Sequence, residues 1–175
     1  MDWIQELSGV LERYQDASAS NASDSAHEDF DQVARSAPPA AIADGLAAAF
    51  RSEQTPPFGQ MLGQLFGNSQ ASQRADILNS LLRTVGPGLL AQVLARHGAA
   101  DVAPASQGQV TPQAAQKVPP QAVQELAEDA EKKDPSIVDR ISHAYAAQPE
   151  IVKTLGKAAL AIAMAQMLRK QYAGR

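Results

Sequence analysis

The sequence predicts an all-α protein, a multi-helix bundle of short proline-initiated helices. Three observations predict it. Apolar residues recur at three- and four-residue spacing along nearly the whole chain, and period-two alternation is absent. Prolines stand at the openings of successive segments, where a missing N–H has no intrahelical partner to lose. The chain is 45% hydrophobic but only 5% aromatic, so its core must be aliphatic and rich in alanine.

Taken in order, Trp3, Leu7, Val10, Leu11 and Tyr14 make the first helical stripe, and Phe30 and Val33 a short second one. Ile42, Leu46 and Phe50 follow, then Met61, Leu62, Leu65 and Phe66. Ile77, Leu78, Leu81, Leu82 and Val85 precede Leu89, Leu90, Val93 and Leu94. Val123 and Leu126 mark the next helix, and Ile137, Val138, Ile141 and Tyr145 the one after it. A last helix is expected to run from Ile151 through Leu155, Leu160 and Met164 to Leu168. The punctuation agrees. Pro38-Pro39, Pro56-Pro57, Pro112, Pro119-Pro120, Pro135 and Pro149 open segments, with Thr55, Thr111 and Asp134 placed as N-caps. Ser25-Ala26-His27-Glu28 fits a capping box, and Gly98 after His97 a helix stop. Residues 16–25 and 98–109 carry no apolar stripe and read as loose segments.

The two sides of the second loose segment resemble each other. Leu81 to Ala95 and Ile151 to Ala165 align at a constant offset of 70, sharing Thr, Gly, Leu and two Ala, with several conservative matches. Pro38-Pro39 answers Pro119-Pro120 in the same order. The expected organisation is an N-terminal helix with a Ser/Asn/Asp-rich linker over 1–27, a helical repeat over 28–97, a flexible linker over 98–109 and a second repeat over 110–175, packed about a pseudo-twofold axis. Gly86 and Gly156, aligned in the two copies, mark either a close helix approach or a helix break. Lys157 permits a continuous helix in the second copy. The stretch Ala158 to Leu168 is apolar on every side except Gln166, so it is expected to be buried, against its counterpart Leu89 to Leu94.

Composition bounds the function. The formal net charge is −4, which argues against a generic nucleic-acid binder. With no cysteine, disulfide scaffolds, thiolate zinc sites and cysteine nucleophiles are excluded. The beginning lacks the pattern of a signal peptide, and no apolar run reaches the ~18 residues of a membrane span, so a cytoplasmic protein is expected. Charge is uneven: residues 1–67 hold ten acids and three bases, while the tail carries Lys153, Lys157, Arg169, Lys170 and Arg175 against Glu150. Such asymmetry suits contact within the chain or between chains, or plain helix-dipole complementarity.

The one dense polar cluster is Asp24-Ser25-Ala26-His27-Glu28-Asp29-Phe30-Asp31. On a helix, Asp24, His27 or Glu28, and Asp31 share a face, and their oxygen and imidazole ligands suit a divalent metal. A carboxylate-rich first turn capped by Ser25 explains them without one. His97 sits at a helix end and His143 between Ile141 and Tyr145, neither with a partner in its own segment. Glu128 and Asp129, four residues before Lys132 and Lys133, read as a solvated salt-bridge face. Gly-x-Ser-x-Gly is absent, and neither Gly86-Pro87-Gly88 nor Gly59 to Gly67 fits a phosphate loop. No catalytic, cofactor or metal residue is therefore assigned.

His27 to Ala34, Phe50 to Met61, Leu65-Phe66-Gly67 and Val110 through Gly156 resemble a group of bacterial all-helical proteins. The second half is similar to the YidB-like family. That resemblance implies a small helical protein without an established activity, and it carries over no functional residue. The expected role is a non-enzymatic helical module mediating self-association or protein-partner binding, with no cofactor. An apolar-ligand or lipid-binding protein is the alternative, and metal binding through Asp24 to Asp31 the second.

Overall fold

A computed structural model describes residues 3–16, 24–102 and 108–173. Among these residues there are eleven α-helices and no strand. The helices are α1 (Trp3–Leu11), α2 (Ala26–Ser36), α3 (Pro39–Arg51), α4 (Phe58–Gly67), α5 (Ala71–Val85), α6 (Pro87–Arg96), α7 (Pro112–Ala115), α8 (Pro120–Lys133), α9 (Ile137–Ala146), α10 (Pro149–Val152) and α11 (Lys157–Ala173). None is long and apolar enough to cross a membrane among the described residues.

Proline does open the helices. α3, α6, α7, α8 and α10 each carry one in the first two positions. Thr111 caps α7 as expected, its Oγ1 accepting from Ala114 N at 3.2 Å. Asp134 Oδ1 accepts from Ser136 N at 3.1 Å ahead of α9. The C-terminus of α6 closes in a Schellman motif: Gly98 sits at φ +75, with Ala99 N donating to Leu94 O and Gly98 N to Ala95 O. Thr55 is different. Its hydroxyl donates to Ala49 O at 2.5 Å, so it closes the end of α3 rather than starting α4. Ser25 holds the N-cap position of α2 but makes no side-chain cap hydrogen bond, so the capping box is not formed.

The last helix expected from the sequence is two helices. Thr154 closes the first by turning back on Ile151 O, to which its N and Oγ1 both donate, at 3.0 and 2.6 Å, and His27 Nε2 donates to Leu155 O in the gap at 2.9 Å. α11 then starts at Lys157. Gly86 breaks the chain between α5 and α6 at φ +88. A Cβ at Gly86 or Gly156 would meet nothing within 4 Å, so neither serves a close helix approach.

The chain forms two compact units, one of residues 1–57 and 142–175, the other of 58–141. These bounds differ from the sequence-derived segments 28–97 and 110–175. The reason is that helices from opposite ends of the chain close the first unit, while the second is the continuous stretch between them. In the first, α11 lies against α3 and α2, and also touches α1 and the 3-10 turn Glu12–Tyr14. Leu160, Met164 and Leu168 are fully buried there, as the all-round apolar pattern predicts. Leu89 to Leu94, the counterpart expected to cover this helix, belongs to the other unit.

In the second unit α8 is the hub, packed against α4, α5 and α6, while α7 lies on α5. The tightest approach is α4 on α8. Gly59, Gly63 and Gly67, four residues apart on α4, face Pro120 and Gln124 of α8. A Cβ at Gly59 would stand 2.7 Å from Gln124 O, at Gly63 3.1 Å from Pro120 O, and at Gly67 3.5 Å from Pro120 Cγ. A graded series follows. Gly59→Ala is expected to cost about 1 kcal/mol net, overpacking against backbone outweighing the helix-propensity gain. Gly67→Ala should lie within about 0.5 kcal/mol of zero. Urea unfolding of the three alanine variants checks the order.

Candidate functional site

The polar cluster of the sequence is carried by α2 and the turn before it, in the first unit. Its members are not turned toward one point. Asp24 pairs with Lys157 at 2.6 Å, and Asp31 with Lys153 at 3.2 Å and with Arg35. His27 Nε2 binds Leu155 O; a carbonyl only accepts, so the proton is on Nε2. Asp29 points the other way, into the unit. It is 7% exposed, accepts from Arg13 at 3.0 Å, and takes the Tyr14 hydroxyl. Among the described residues no three His, Asp or Glu side chains group to hold a metal ion.

The charge asymmetry is spent within the chain. Three Asp–Lys pairs, Asp24–Lys157, Asp31–Lys153 and Asp44–Lys170 (2.6 Å), join the acidic first third to the basic tail. Hydrogen bonds from Lys157 and Lys153 hold the Asp24 and Asp31 carboxyls below their ordinary value of 3.8. A carboxyl whose folded value is depressed stabilises the fold above its unfolded value and loses that contribution as pH falls through the folded one. Stability is therefore expected to decline as pH drops below 3.8, through Asp24 and Asp31. Thermal melts of the chain and of Lys153→Met between neutral and acid pH check this: the variant should show a shallower acid limb. The pairs are exposed or half-buried, so added salt should weaken them.

His97 finds its partner on another helix: Nε2 lies 2.8 Å from Glu125 of α8, which also takes Arg96. His143 is exposed on α9. The salt-bridge face expected on α8 does not form around Lys133, whose Nζ reaches Val85 O at 3.2 Å instead. A scan against family models, a search of curated proteins and a search of solved structures each find no match.

Three hollows bear on function. In the first unit, His27, Glu28, Asp31, Gln32, Arg35 and Lys153 line an open polar cavity of about 500 Å³. On the same unit, Trp3, Pro38, Ala41 and Met167 line a groove of about 290 Å³, rimmed by the Asp44–Lys170 pair. In the second unit a basic cavity of about 350 Å³ lies where the ends of α5 and α8 meet the start of α9. The sequence carried no signal for the last two, because each collects residues from three separated segments. Asn79 was also missed. Its amide bonds both the N–H and the C=O of Val110, at 2.8 and 3.1 Å, and so pins the chain after the 98–109 segment onto α5.

Proposed function

We propose that the protein is a non-enzymatic helical module that acts by self-association, with a second copy of the chain as its partner. One observation carries this reading: the first unit is closed by segments more than a hundred residues apart, α3 against α11. Contacts of this kind can be made equally by one chain or by two that exchange ends. The internal duplication belongs to the same reading, as does kinship with the YidB-like family. The packing pairs support duplication with exchange. α11 lies on α3 and α6 on α8; α10 lies on α2 and α5 on α7. In each case a helix from the later part of one proposed copy covers a helix from the early part of the other.

Light scattering over a range of protein and salt concentrations tests the proposal. A mass rising above 18.5 kDa with concentration, and falling back in salt as the Asp–Lys pairs weaken, is the expected result. A mass of one chain under every condition would overturn it. The groove at Trp3 supports the apolar-ligand reading as a second one. Trp3 is the single tryptophan, so fatty-acid titration followed by its emission is decisive: an unchanged spectrum removes that reading.

A further inference from the structure

We propose that the basic cavity of the second unit binds a small phosphate-bearing anion. Arg83, Lys133 and Arg140 line it together with Ser80, Thr84 and Asp134. Three cations against one carboxylate is an unusual local balance in a chain of net charge −4. The carboxylate is also occupied: Asp134 accepts from Ser136 N at 3.1 Å, Ser136 Oγ at 2.7 Å and Arg140 at 3.1 Å. Neither Arg83 nor Lys133 has a carboxylate partner among the described residues. Arg83 makes one loose bond of 3.4 Å to Ser80 Oγ, which leaves most of its donors unused.

Two of the three cations are held in place. Arg140 donates to Thr84 Oγ1 at 3.0 Å as well as to Asp134, which fixes its guanidinium over α5. Lys133 Nζ covers Val85 O, the last carbonyl of α5, and keeps further protons for a ligand. That contact also masks the helix end that would otherwise repel an anion. Guanidinium groups recognise phosphate oxygens in a planar, two-pronged geometry, and an ammonium adds a point charge. A volume of about 350 Å³ is at the low end for small-molecule sites. It suits free phosphate or a short phosphomonoester rather than a dinucleotide.

The test uses the full chain in buffers of matched ionic strength, with chloride as reference. Isothermal titration with inorganic phosphate and, separately, glycerol phosphate is expected to show saturable binding of at least one. Arg83→Gln should weaken it about tenfold or more, the loss of one charge-assisted contact. Arg83→Lys should retain part of it. Arg35→Gln, an exposed arginine of the first unit, should leave it unchanged. Tighter binding of glycerol phosphate assigns the site to an ester, and tighter inorganic phosphate assigns it to the free ion. No saturable heat with either probe, or equal binding by Arg83→Gln and the parent chain, would overturn the proposal. Circular dichroism confirms that Arg83→Gln is folded, as expected for a side chain on the surface.

Discussion

Gly45→Ala is expected to destabilise the first unit by about 2 kcal/mol. An added Cβ would stand 2.6 Å from Ala163 O, 3.0 Å from Met167 Cε and 3.1 Å from Met167 Cγ. The methionine can move, because its side chain is flexible. The carbonyl cannot, because it belongs to the backbone of α11. The two helices must therefore part, and each pair of facing side chains along α3 and α11 loses contact as they do. Alanine returns about 1 kcal/mol of helix propensity, which the separation outweighs. Urea unfolding should show a lower midpoint with an unchanged slope. A midpoint at or above that of the parent chain would mean that the α3–α11 contact is looser than described.

Asp29→Ala is expected to cost about 2–3 kcal/mol. Its carboxylate is the acceptor for two groups from the chain before α2. The Tyr14 ring is 1% exposed, so its hydroxyl loses a buried acceptor once Asp29 is gone. Arg13 is half exposed and can be solvated, which limits its share of the loss. Asp29→Asn keeps an acceptor but removes the charge, and should cost less than the alanine variant. Tyr14→Phe in the Asp29→Ala background should add little, because the hydroxyl's bond to Asp29 is already absent. A double-mutant cycle measured by denaturant unfolding checks the coupling. Additive losses would show that the two residues act separately.

These two positions show how far the sequence reached. Asp29 was legible as one acid among several in a first turn, where the helix dipole explains any carboxylate. Nothing local distinguishes it from Asp31 two positions on, yet one is buried and the other faces the tail. That choice depends on where Arg13 and Tyr14 are brought. Gly45 carried no signal at all, because a lone glycine in an alanine-rich helix has no pattern. The aligned Gly86 and Gly156 drew attention instead and proved to stand in open space. The Gly59, Gly63, Gly67 spacing was in plain view, but only a facing helix gives such a stripe its meaning.

Local rules account for the all-helical class, the proline starts, the Thr111 cap, the Gly98 stop and the burial of the apolar run after Ala158. Each follows from φ limits, missing N–H groups and periodicity over a few residues, which are properties of the chain by itself. Helix partners are another matter. Thr55 capping backward, His27 meeting a carbonyl 128 residues away, the Asp–Lys pairs and the cluster of Arg83, Lys133 and Arg140 all join distant segments. Periodicity says which face of a helix will be covered but not by what, since many apolar faces are interchangeable to within a few kcal/mol. Only the folded chain selects among them.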